Sequence, residues 1–184
     1  QHRKVFGSDL NPDGVAKAIA AYERTILSGN SPYDRFNAGD KKALSAGAQR
    51  GLALFEGRAR CVTCHVSFNF TDENYHNLGV GMDKANPDFG RFTASKNDEH
   101  KGAFKTPTLR DVAKRPPYMH DGSMATLAEV VAFYNRGGTP NPWLSKEIRP
   151  LNLTAAEEKD LVSFLEALTG QVTLEASAPP KLPE

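Results

Sequence analysis

The sequence predicts an all-α fold. Four segments carry apolar side chains at helical spacing with a capping residue in front and glycine behind. No segment alternates like a half-buried strand, and no repeat or low-complexity tract is visible. At 184 residues with 39% hydrophobic side chains, the chain can bury one good core and a small appended element.

The first helix starts at Asn11, a good N-cap, with Pro12 at the first helical position. Val15, Ile19, Tyr22 and Ile26 form its apolar stripe before Gly29. Ser45 caps a second helix carrying Leu44, Ala48, Leu52 and Phe55, in which Gly51 leaves room for close approach of another backbone. In the third, Thr126 and Glu129 make a capping box, Leu127, Val130, Val131 and Tyr134 share a face, and Gly137-Gly138 ends it. The fourth repeats that grammar with Thr154 and Glu157, a stripe of Leu161, Phe164, Leu165 and Leu168, and Gly170 at its end. Between Phe68 and Phe104 glycines, Asn86-Pro87 and scattered charge replace periodicity, which predicts a long wrapped loop. Such a loop either serves the site or merely covers one edge of it.

Function is concentrated in Cys61-Val62-Thr63-Cys64-His65, which holds both cysteines and matches the attachment pattern for c-type haem. Two thiols three positions apart can add to the two porphyrin vinyl groups, while the next side chain offers iron an imidazole nitrogen. A structural zinc site needs further ligands at metal spacing, and the chain has no third cysteine. A thioredoxin-like dithiol calls for a βαβ setting, which is not visible. One covalent haem c is therefore the expected cofactor.

Net charge is +1, from 23 basic and 22 acidic residues, so composition calls for no nucleic-acid partner. No apolar run approaches membrane length, which predicts no membrane insertion, and the N-terminus lacks the zones of a signal peptide. Because covalent haem is normally installed outside the cytoplasmic membrane, a processed or truncated chain and a periplasmic location are expected.

A helix entering the Cys-x-x-Cys-His and a late helix with an aromatic on its buried face resemble the crossed terminal helices of a cytochrome c fold. The expected architecture is thus a cytochrome c-like haem domain with long wrapped loops and an extra N-terminal helix. A tighter match lies downstream, where Phe104-Lys105-Thr106-Pro107-Thr108-Leu109-Arg110-Asp111-Val112 runs into Pro117-Tyr118-Met119-His120-Asp121-Gly122-Ser123. Together with Ala20-Ala21-Tyr22-Glu23-Arg24-Thr25, Ser28-Gly29-Asn30-Ser31-Pro32-Tyr33-Asp34-Arg35 and Pro150-Leu151-Asn152-Leu153-Thr154, this resembles the bacterial di-haem cytochrome c peroxidase and MauG family.

The resemblance covers the C-terminal haem half of that family, whose N-terminal half carries a second haem that meets hydrogen peroxide. It implies a segment over 1–40 linking to that absent domain, a haem domain over 41–172 and a Pro-rich tail over 173–184. It also implies an oxidoreductase role, in which this haem relays or stores oxidising equivalents for peroxide reduction at the second haem. The implied partners are an N-terminal domain or companion chain bearing that haem, and a redox donor protein or protein substrate. The alternative is an autonomous monohaem electron carrier, since no distal acid–base constellation is visible.

For the second axial ligand the family offers methionine or, in MauG-like members, tyrosine, and this sequence has Tyr134 at that position. An ordinary buried tyrosine is the bland alternative. Met124, Met119 and His120 are chemically competent rivals, of which Met124 is the alternative nearest the helix. A phenolate favours oxidised iron and leaves no open position for peroxide. The family's calcium site maps onto the backbone carbonyls of Arg115 and Pro117, in place of a plain Pro-rich turn. His76 reads as a hydrogen-bonded structural residue, Trp143 as the anchor of its loop, and Ala59 stands where MauG carries a bridging tryptophan.

Overall fold

The computed structural model describes residues 1–172, and the Pro-rich tail expected over 173–184 lies outside the described residues. In chain order the helices are α1 (His2–Phe6), α2 (Pro12–Glu23), α3 (Pro32–Asn37), α4 (Ala46–Glu56), α5 (Phe92–Ser95), α6 (Leu127–Asn135) and α7 (Ala155–Glu166). Short strands are β1 (Ser28–Gly29), β2 (Tyr75–Asn77), β3 (Ala103–Lys105) and β4 (Gln171–Val172), pairing antiparallel as β1 with β4 and β2 with β3. The molecule is helix-rich with a few short strands, which corrects the expectation of none. Two- and three-residue pairings between distant segments are too short to leave an alternating pattern. No described helix is long and apolar enough to cross a membrane.

One compact unit comprises Gln1–Gly29 and, of the later chain, Gln171 and Val172. The Asn11 side chain accepts from the Gly14 backbone N–H at 2.8 Å, as an N-cap should, and Pro12 opens α2. Only Gly14 of this helix is buried, and a Cβ there would fall 1.9 Å from His2 Nε2.

The second unit, Asn30–Gly170, starts at α3 because that short helix is tied into it. Ser31 and Asp34 form a capping box, Tyr33 N–H donates to the Ala167 carbonyl, and Arg110 donates to Asp34 at 2.7 Å. Its frame is α4 along α7. Gly51 is the contact point: a Cβ there would lie 2.0 Å from the Asp160 carbonyl oxygen, so only glycine lets the two helices meet this closely. Arg50 clasps the Asp160 carboxylate with two bonds of 2.7 Å beside it.

Both capping boxes read from the sequence are present, at Thr126–Glu129 and Thr154–Glu157. Leu161, Phe164, Leu165 and Leu168 are all buried, and Phe164 packs among Phe55, Phe70 and Tyr33 with ring centroids 5.0, 6.4 and 5.8 Å away. Each such side chain contributes about 1.5–3 kcal/mol through removal of apolar surface from water. This aromatic core lies directly beneath the residues that matter for function.

Candidate haem site

Gly57, with φ −101° and ψ −112°, ends α4, and Arg60 at φ 56° reverses the chain into a 3₁₀ turn at Cys61–Thr63. The His65 N–H donates to the Cys61 carbonyl at 2.9 Å, which closes the turn and brings both thiols and the imidazole to one cavity. That cavity, of about 460 Å³ with a predominantly apolar lining, falls within the range of about 300–1,000 Å³ typical of small-molecule sites. Phe55 and Leu161 form its floor from the core. The expected wrapped loop supplies a wall through His76, Leu78, Val80 and Phe104, and α6 supplies Leu127, Val130, Val131 and Tyr134.

The His65 ring is oriented on both sides of its chemistry. Its Nδ1 bonds the Phe70 carbonyl at 2.8 Å, and its face lies 6.5 Å from the Phe55 ring. Nε2 has no hydrogen-bond partner among the described residues. Burial pulls the imidazole below its ordinary pKa, so it is neutral at physiological pH and its Nε2 lone pair is available to a metal. Burial pushes the Cys61 thiol up to about 12 and the Cys64 thiol up to about 11, the latter helped by the Asp72 and Glu147 carboxylates. Thiols held protonated in this way are poor thiolate redox groups, and they form no disulfide.

Tyr134 lines the same cavity, and its hydroxyl has no hydrogen-bond partner among the described residues. Burial, with the two cysteines nearby, raises its pKa above the ordinary phenol value. Absent a cation, the phenol therefore stays neutral. Met124 does not line the cavity; its backbone pairs with Tyr118 through a Tyr118 N–H bond of 2.7 Å. Met119 and His120 do line it, and the His120 ring stacks on Phe104 with centroids 3.6 Å apart.

Arg115 and Pro117 also border the cavity, and neither backbone carbonyl accepts a hydrogen bond among the described residues. Ala59 is buried at the cavity edge and adds no aromatic ring. Trp143 packs edge-on against Phe89 at 6.2 Å with the Lys101 ammonium over its face, the environment of a loop anchor.

His76 makes the hydrogen bond expected of it, from Nε2 to Asp72 Oδ2 at 2.8 Å. What the sequence did not reveal is where that pair stands. One ligating atom from each of Cys64, Asp72 and His76 lies within 4.8 Å of the others. The spacing of four between Asp72 and His76 was visible, but the approach of both to Cys64 depends on the β2–β3 pairing.

Tight turn, tethered imidazole, apolar cavity and unpartnered phenol fit a covalently attached haem, and fold and site together define a protein of the c-type haem class. Sequence comparison makes the class specific. A sequence model described as di-haem cytochrome c peroxidase matches residues 1–42. The chain is 42% identical over 173 residues to the methylamine utilization protein MauG of Methylorubrum extorquens, covering 92% of this chain and 48% of that protein. It is 42% identical over 198 residues to the cytochrome-c peroxidase IdrP1 of Denitromonas iodatirespirans, covering 91% of this chain and 53% of that one. The solved structure of a MauG-like protein associated with microbial copper homeostasis superposes with a TM-score of 0.79 at 30% identity, covering 97% of this chain and 68% of that one. The chain belongs to the di-haem cytochrome c peroxidase and MauG family. It spans about half the length of the curated relatives it matches.

Proposed function

We propose that this chain is the C-terminal, cytochrome c-like haem half of a periplasmic di-haem peroxidase or MauG-like oxidase, and that it relays or stores oxidising equivalents for peroxide reduction at a second haem. The observation that carries this reading is the pairing, on one cavity, of a tethered His65 with a phenol at Tyr134 that has no other partner. A haem attached through Cys61 and Cys64 supplies one-electron redox chemistry at this cavity. His65 offers a neutral Nε2 to the iron, and the Phe70 carbonyl fixes its tautomer and ring plane. Tyr134 offers a phenolic oxygen that must give up its proton on binding, because burial alone keeps it neutral. The apolar walls exclude water from both, and were both side chains to hold the iron, peroxide would have no place to bind at this half.

The domain reading is 1–40 as the segment joining the N-terminal haem domain, 41–172 as the haem domain and 173–184 as a Pro-rich tail. Two free carbonyls at Arg115 and Pro117 support a calcium ion bound there. A second haem, on an N-terminal domain or companion chain, is the partner, together with a redox donor protein or protein substrate.

The test is spectroscopic. Tyr134→Phe is expected to change the ferric absorption spectrum and raise the midpoint potential, while Met124→Leu leaves both unchanged. A methionine-to-ferric-iron charge-transfer band in the near infrared, or an unaltered Tyr134→Phe spectrum, would sink tyrosine ligation. A second reading is the autonomous monohaem carrier, for which the cavity at His65 and Tyr134 would be the whole redox site. A haem count on the intact gene product separates the two: two haems support the peroxidase half, and one haem with no haem-bearing companion supports the carrier.

A further inference from the structure

We propose that Asp72, gripped by His76, is a fixed anion that sets the redox potential of the haem attached at Cys64; this rests on the haem reading above. The geometry begins at the sulfur. Cys64 Sγ is the atom that joins the porphyrin, and ligating atoms of both Asp72 and His76 lie within 4.8 Å of it. His76 lines the cavity itself. The pair is therefore at the haem edge by chemistry as well as by position, and no step in the proposed function uses it.

The carboxylate is held in place rather than free to swing into solvent. His76 Nε2 bonds Oδ2 at 2.8 Å, and the Asn74 backbone N–H donates to Oδ1 at 2.9 Å. Its side chain is 13% exposed and that of His76 23%, so bulk water screens the charge poorly. Those hydrogen bonds keep the carboxyl at about 2, hence ionised throughout the physiological range. Its field reaches the site, since a carboxylate oxygen lies within 4.8 Å of Cys64 Sγ in a poorly screened setting. Glu147 also lines the cavity, but it is 43% exposed and paired with Arg60 at 2.8 Å. Glu73, beside Asp72 in sequence, is paired with Lys105 and 61% exposed. Asp72 is thus the acidic group best placed to act on the haem. A nearby anion favours the more positive ferric form, so Asp72 lowers the potential and suits a site that retains oxidising equivalents.

The experiment is a mediated potentiometric titration of the holo-protein at fixed pH and ionic strength. Asp72→Asn keeps the shape and the acceptor for Asn74, and it is expected to raise the midpoint potential with an unaltered ferric spectrum. Asp72→Glu is expected to restore it, and Glu147→Gln to move it less than Asp72→Asn does. Should Asp72→Asn fail to incorporate haem, His76→Arg places a permanent cation against the carboxylate and is expected to raise the potential likewise. An unchanged or lowered potential in Asp72→Asn, or in His76→Arg where that variant stands in, overturns the proposal; so does a Glu147→Gln shift as large as that of Asp72→Asn. Wild-type protein with no covalent haem overturns the haem reading itself, a result distinct from a haem whose potential ignores Asp72.

Discussion

Helices α2 and α7 are written in the same grammar and end in opposite environments. Each has a side-chain N-cap, an apolar residue roughly every turn and a glycine beyond its end. Along α7 the stripe of Leu161, Phe164, Leu165 and Leu168 is buried, with Phe164 and Leu168 at 0% exposure. Along α2 and just beyond it, Val15, Ile19, Tyr22 and Ile26 remain between 41 and 53% exposed. An amphipathic pattern therefore states which face a helix would bury, and leaves open whether the residues described include something to bury it against. In α7 the answer is written elsewhere in the chain, at Gly51, which allows α4 to lie against it.

The comparison is broken most severely at that glycine. Gly51→Leu puts a side chain where a Cβ already sits 2.0 Å from a backbone oxygen, so α4 and α7 must separate. We expect no folded haem-bearing protein, measured as loss of the Soret band from purified soluble material. Phe164→Ala is the next largest. It opens a cavity among Phe55, Phe70 and Tyr33, and is expected to cost about 3–5 kcal/mol in denaturant unfolding of the holo-protein.

What the sequence disclosed follows this same division between local and distant signals. Caps and the Cys-x-x-Cys-His turn are encoded within a few residues, and each appears where its pattern stands; the glycine stops are looser, since α2 ends at Glu23 and not just before Gly29, and α7 at Glu166, before Leu168 and Gly170. The inward face of Tyr134 was equally legible, because helical spacing from Leu127, Val130 and Val131 fixes it. Strands β2 and β3 were not, since three-residue pairings across 26 positions leave no periodic trace. With them went the position of the Asp72–His76 pair, and the role of the 68–104 segment as a cavity wall. A hydrogen-bonded His76 agrees with its sequence setting, and only tertiary structure places it beside Cys64.

Acid sharpens the contrast between the haem unit and α2. Asp72 and Asp121 are both held at about 2 by hydrogen bonds, against an unfolded value near 3.8. Folded values below the unfolded one mean that their stabilisation is complete above about pH 4 and is lost as pH falls toward 2. For the better shielded Asp72 this amounts to on the order of 1–2 kcal/mol. Stability should fall over that window, and Asp72→Asn should flatten the fall when unfolding is followed by helical circular dichroism. Thr154→Ala removes the hydroxyl that accepts from Glu157 N–H and should cost about 1 kcal/mol.

The smallest effect is expected at α2. Ile19 is 53% exposed, so replacing it by serine removes little buried surface from the folded chain. Helix propensity changes only slightly between the two side chains. Ile19→Ser should alter unfolding free energy by no more than about 0.5 kcal/mol in this chain, in contrast to Phe164→Ala on the matching stripe of α7. A cost of several kcal/mol at Ile19 would mean that the α2 stripe is covered in solution, and that the two helices differ less than their exposure indicates.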